Sequence, residues 1–170
     1  MLGMRVLGID CGGEYTGFGV VEADGKGRLQ SLACGAISLK TKEPLEKRLE
    51  TIFLKLSAVI EEYAPEVAAI EDVFFSVNAK SALKLGHVRG VAMLAAARHN
   101  LPVVAYAPLS VKSAVVGYGR AEKSQVQLMV TRLLKLPQIP EPPDIADALA
   151  IAICHCNTSA TLLKQKPVKG

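Results

Sequence analysis

The sequence predicts a mixed α/β domain built on one central sheet of five strands. Three observations predict it. The first forty residues hold three short apolar segments punctuated by glycines and an Asp-Gly pair, the pattern of strands joined by tight turns. From Leu45 the hydrophobic spacing lengthens to three and four, the period of a helix face. Two further short apolar runs then alternate with helical stretches. At 170 residues, half of them hydrophobic, the chain has room for one well-packed core and not for two ordinary domains.

Residues 5–10 read as a buried strand ending in Asp10. Gly12, Gly13, Gly17 and Gly19 crowd the next stretch, so the backbone there turns tightly or approaches another element closely. Residues 18–22 and 29–39 complete an antiparallel meander, with Asp24-Gly25 starting the second turn. Leu45, Leu49, Ile52, Phe53, Leu56, Ile60 and Tyr63 share one helix face, and Pro65 ends that helix. Residues 67–70 are a short buried strand with Glu71 at its end. An Ala-rich helix over 79–98 carries a stripe of Ala82, Gly86, Gly90 and Ala97. The stripe suits either packing on the helix's own sheet or close approach of a second helix. Residues 101–107 form the fifth strand. A short helix follows Ser110 and breaks at Gly117-Tyr118-Gly119. Residues 123–136 are amphipathic through Val126, Val130, Leu133 and Leu134. Prolines 137, 140, 142 and 143 stiffen the next link, and the last helix runs from Pro143 or Asp144 to about His155. Residues 1–157 are thus one domain, and 158–170 a flexible tail.

Composition narrows the function. No window approaches the roughly 18 apolar residues of a membrane span, and the start lacks the apolar core of a secretory signal. The strand pattern begins at Met4, which marks an alternative start. Cys11, Cys34, Cys154 and Cys156 form no CxxC pair, and read as reduced, mostly buried thiols of a cytoplasmic protein. Charge is segregated. Residues 73–140 carry nine basic side chains and one acid, whereas residues 1–72 carry eight basic and twelve acidic ones. A basic middle points to a polyanion partner.

Four acids stand where acids are expensive. Asp10 and Glu71 end apolar strands, and Asp144 and Asp147 lie one turn apart among Ile145, Ala146, Ala148 and Leu149. Carboxylates at a core boundary need a positive partner. A divalent metal is the economical one, and hard oxygen ligands indicate Mg²⁺ or Mn²⁺. Taken singly, each acid also fits a turn, a helix cap or a strand end.

The stretch RVLGIDCGGEYTGFG resembles the first motif of RuvC-type Holliday-junction resolvases. IEDVFFSVNAKSALKLGHVRGVA resembles their second motif, VVGYGRAEKSQVQLMV a third region, and PPDIADALAIAICH the terminal acidic helix. The match runs in register from about Met4 to His155. It implies an RNase H-like fold, helices on both sheet faces, and a structure-selective DNA endonuclease. By this resemblance Asp10, Glu71, Asp144 and Asp147 bind two Mg²⁺ ions, with Mn²⁺ as substitute. Lys112 and Lys123 act near the scissile phosphate, Phe74 contacts distorted bases, and Asn78, Lys80, Lys84, Arg89 and Arg120 join the DNA surface. It further implies a homodimer that cuts both strands symmetrically, ligatable 5′-phosphate and 3′-hydroxyl ends, and a RuvA–RuvB partner in recombination and repair. Where the family usually has Pro after the first Asp, this chain has Cys11. Phe74 and Phe75 sit on an extended segment, so their rings face opposite ways. Competing readings are a junction-binding module without cleavage and a nuclease of the same fold that processes RNA. An actin-like ATPase shares the GID-plus-glycine motif but needs two lobes.

Overall fold

The computed structural model describes residues 3–72 and 78–165; Phe74 and Phe75 lie outside the described residues. Five strands, β1 (Met4–Cys11), β2 (Tyr15–Ala23), β3 (Leu29–Ser38), β4 (Val67–Glu71) and β5 (Val103–Tyr106), form one sheet in the order β3-β2-β1-β4-β5. The β1, β2 and β3 meander is antiparallel, and β4 and β5 add in parallel to β1. Five helices complete the described residues: α1 (Leu45–Tyr63), α2 (Ala79–Arg98), α3 (Pro108–Val116), α4 (Lys123–Leu133) and α5 (Pro143–Gln165).

Side chains alternate across the sheet and divide the core in two. Val6, Val21, Val67 and Ala69 pack under α3, α4 and α5 with Leu149 and Ile153. Leu7, Ile9, Val20, Ala68 and Ile70 pack on the opposite face against Ile52 and Leu56 of α1 and Val88 and Ala92 of α2. Helices thus cover both faces, as the resemblance implies, and among the described residues no helix is long and apolar enough to cross a membrane.

Several boundaries differ from the sequence expectation. Strand β2 starts at Tyr15, not at residue 18, because Thr16 and Gly17 pair with both neighbours. Helix α3 starts at Pro108, whose missing N–H suits a first turn. Helix α4 stops at Leu133, and Lys135 follows with φ 51°. Helix α5 continues past His155 to Gln165. No Gly or Pro interrupts the chain before Pro167, and Asn157 Nδ2 donates to the Ala114 carbonyl at 2.9 Å, tying this extension to α3. Of the four cysteines, all free, Cys154 and Cys156 are buried, Cys11 is half-buried and Cys34 is exposed on a sheet-edge strand.

Candidate active site

Strand register places the first two acids. Val6, Gly8 and Asp10 share one face of β1, and Val67, Ala69 and Glu71 the same face of β4, by the period-two rule. Parallel pairing sets Ile9 opposite Ile70, so the next step brings Asp10 and Glu71 side by side at the strands' carboxyl ends. Both face α5.

Glycines bring in the other two. Gly17 pairs with Asp10 across the β1–β2 ladder, and its missing side chain makes room for the backbone of Asp144. A Cβ at Gly8 would collide with the Ala148 carbonyl, and one at Gly12 with the Asp144 carboxylate. This glycine track lets α5 lie directly on β1 and β2, with its first turn over Asp10. That turn carries Asp144, where the helix N-terminus favours negative charge, and Asp147 follows one turn on. The close approach expected from the glycine-rich stretch is therefore to α5.

Two lysines face the acids. Lys123 is the first residue of α4, held there by a capping box in which the Glu122 N–H donates to Gln125 Oε1 at 2.9 Å. Its ammonium lies 3.1 Å from Asp147 Oδ2. Lys112 of α3 lines a cavity of about 230 Å³ together with Glu71, Lys123 and Asp147, walled by Val111 and Val126. A neighbouring cavity of about 360 Å³ is lined by Asp10, Cys11, Gly12, Gly13, Glu71 and Asp72 on the α2 side.

The acids interact strongly. Burial, then Asp147, Asp144 and Glu71, push the Asp10 carboxyl up to about 8, with Lys123 opposing. Burial and Asp147 raise Glu71 against the pull of Lys112 and Lys123. Burial also raises Asp147, opposed by its hydrogen bond from Lys123. Burial works to lower the Lys123 ammonium, but the hydrogen bond to Asp147 and the charges of Asp147, Asp10 and Asp144 outweigh it and hold it raised. The site thus has more negative charge than its cations balance. Among the described residues no three Asp, Glu, His or Cys side chains form a group that could hold a metal ion as they stand. The donors are all hard oxygens, the ligand type of Mg²⁺ or Mn²⁺, so the residues present fit that group.

The remaining predicted residues are more scattered. Lys80, Lys84 and Arg120 are exposed. Asn78 caps α2, its Oδ1 accepting from the Ser81 N–H at 2.8 Å. Arg89 turns inward to Asp72, with Nη2 3.6 Å from Oδ1. Sequence reasoning passed over Asp72, although the Glu71-Asp72 pair at a strand end was a visible signal. It also left out Gln125, whose Oε1 accepts from the Tyr118 hydroxyl at 3.0 Å and so tethers the 117–122 loop beside Lys123.

The family model described as "Crossover junction endodeoxyribonuclease RuvC" matches residues 6–155. The chain belongs to the RuvC family. A RuvC of Koribacter versatilis (strain Ellin345) is 68% identical over 161 residues, covering 95% of this chain and 97% of the relative. A RuvC of Acidobacterium capsulatum is 53% identical over 169 residues, covering 96% and 99%. The solved Thermus thermophilus RuvC in complex with Holliday junction substrate superposes with a TM-score of 0.88 at 36% identity, covering 93% of this chain and 96% of that one. The RuvC match spans all four acids, both lysines and the whole glycine track.

Proposed function

We propose that this chain resolves four-way DNA junctions by hydrolysing phosphodiester bonds at the pocket formed by Asp10, Glu71, Asp144 and Asp147. One observation carries the reading: four carboxylates from three separate elements crowd together beneath two lysines, in a chain of the RuvC family. Asp10, Glu71, Asp144 and Asp147 would together hold the divalent ions. When bound, Mg²⁺ or Mn²⁺ supplies an activated water and relieves charge on the phosphate and the leaving oxygen. Lys123 and Lys112 stabilise the charge that develops on the transferring phosphate. Water oxygen bonds to phosphorus as the P–O3′ bond breaks, and the departing O3′ takes up a proton; this leaves a 3′-hydroxyl and a 5′-phosphate, ends that a ligase can seal.

The substrate's symmetry calls for two copies of the site, and a C2 dimer supplies them. The stripe on α2 supports this reading. Ala82, Gly86, Gly90 and Ala97 are exposed, a Cβ at Gly86 or Gly90 would meet nothing within 4 Å among the described residues, and Leu83 and Leu94 beside them are 65% and 53% exposed. The stripe is therefore not consumed by packing on its own sheet. Lys80, Lys84 and Arg120 contact DNA phosphates, and Phe74 meets the bases at the crossover. The enzyme acts in recombination and repair, follows a RuvA–RuvB branch-migration complex, and works in the cytoplasm, where four unpaired thiols suit a reducing milieu.

The test is metal-dependent incision of a synthetic immobile junction with the nick positions mapped. Paired nicks at symmetric positions are expected, with linear duplex and structured RNA left uncut. Junction binding without incision under Mg²⁺ or Mn²⁺ would return the chain to a binding module.

A further inference from the structure

The cavity on the α2 side of Asp10 and Glu71 is closed by residues that directly follow each acid in sequence. Cys11 follows Asp10 and Asp72 follows Glu71, and both line that cavity with Leu85. Leu85 and Arg89 are one turn apart on α2 and therefore share a face. Arg89 Nη2 lies 3.6 Å from Asp72 Oδ1, and Nη1 lies 3.6 Å from Met93 Sδ. The guanidinium therefore meets the residue that directly follows Glu71. Its side chain is 26% exposed, against 63% for Lys123, so it is not a free surface cation.

We propose that Arg89 is a positioning residue for the metal-binding carboxylates: from α2 it holds the carboxyl end of β4, directly after Glu71, through Asp72. The inference rests on the reading of Asp10 and Glu71 as cation ligands. Its physical basis is the repulsion among the four acids, which pushes the two strand ends apart whenever the front of the site lacks a cation. The Asp72 backbone is already fixed, since its N–H donates to the Tyr106 carbonyl at 2.7 Å. Arg89 holds the side-chain end through Nη2 while Nη1 rests on Met93 Sδ, an arrangement that a planar guanidinium suits better than an ammonium. The Asp72 contact lies on the α2 side of the acids, whereas Lys112 and Lys123 line the cavity on the α3 and α4 side.

The experiment compares Arg89→Met, Arg89→Lys and Asp72→Asn with the unaltered protein and with Asp10→Asn. Three quantities are read: junction affinity and its salt slope in calcium, the magnesium concentration for half-maximal incision, and the magnesium-induced rise in melting temperature of DNA-free protein. For Arg89→Met the account expects unchanged junction affinity and salt slope, and a magnesium midpoint raised about tenfold, typical of losing an outer-shell partner. It also expects a smaller magnesium-induced thermal shift. Arg89→Lys recovers part of the loss, and adding Asp72→Asn to Arg89→Met makes it no worse. Weakened junction binding with a salt slope lower by about 0.9 and an unchanged magnesium midpoint would make Arg89 a phosphate contact and overturn the proposal. So would a lower melting temperature in chelator with magnesium dependence intact, which marks a merely structural prop. Should Arg89→Met not fold, Asp72→Asn breaks the same ion pair from its exposed end, and an unmoved magnesium midpoint there overturns the clamp. An unchanged magnesium-induced thermal shift in Asp10→Asn would instead overturn the ligand reading beneath it.

Discussion

Replacing Asp10 by Asn should stabilise the metal-free protein while abolishing incision. The Asp10 carboxyl is raised from 3.8 to about 8 by burial and its three acidic neighbours. A folded-state value above the unfolded one means that the folded chain holds this proton more tightly. The stability that this proton contributes is complete below about pH 4 and is lost as pH rises through about 8. At about pH 7.5 the carboxyl then costs the metal-free fold up to about 5 kcal/mol, at about 1.4 kcal/mol per pH unit. An amide must still be desolvated, so half of that, about 2–3 kcal/mol, is the expected gain. For a domain of this size that is a rise in melting temperature of roughly 5–10 °C. The assay is thermal unfolding in chelator at about pH 5 and about pH 7.5. The variant's advantage should grow with pH, and magnesium should narrow it by stabilising only the unaltered protein. Junction binding should survive and incision should collapse. An Asp10→Asn protein no more stable than the original at either pH would refute the electrostatic reasoning.

The glycine track predicts that Gly17→Ala drives β2 into the Asp144 backbone, destabilising by about 1–3 kcal/mol and depressing incision; an unchanged melting temperature would show that α5 yields freely. On α2, Gly86→Leu should shift a dimer to monomer by light scattering, because none of the described residues occupies that space; persistence of the dimer would exclude this face. Junction binding should weaken with salt at a log–log slope of about −0.9 per phosphate neutralised, and the Lys80→Ala, Lys84→Ala and Arg120→Ala triple variant should flatten it; an unaltered slope would remove those residues from the interface. Gln125→Ala removes the capping box and the Tyr118 tether, and should cost about 1 kcal/mol and slow incision without changing junction affinity.

Much of this molecule was legible in the sequence because its signals are local. The periodicity around Leu45–Tyr63 and the bounds of α2 were readable from spacing alone. The sequence showed Asp10 and Glu71 as acids ending apolar strands, but not that β1 and β4 pair in parallel and so set the two side by side. The run of glycines after Asp10 announced a close approach but not its partner, because contact with Asp144 depends on how α5 crosses the sheet. Nor did spacing say that Arg89 turns inward. Its sequence neighbours look like those of Lys84, and only the ion pair with Asp72, across two elements, separates them. The far end of α5 was misjudged because a polar run such as Asn157-Thr158-Ser159 weakens the helix pattern without breaking the helix.

The central claim is that Asp10, Glu71, Asp144 and Asp147 hold divalent cations together. Diffraction from crystals soaked in manganese, recorded for its anomalous signal, tests that claim most directly. The account predicts peaks in contact with the Asp10 carboxylate and shared among the other three acids, absent from Asp10→Asn crystals. Manganese bound elsewhere, or none at this pocket at a concentration that supports incision, would contradict it.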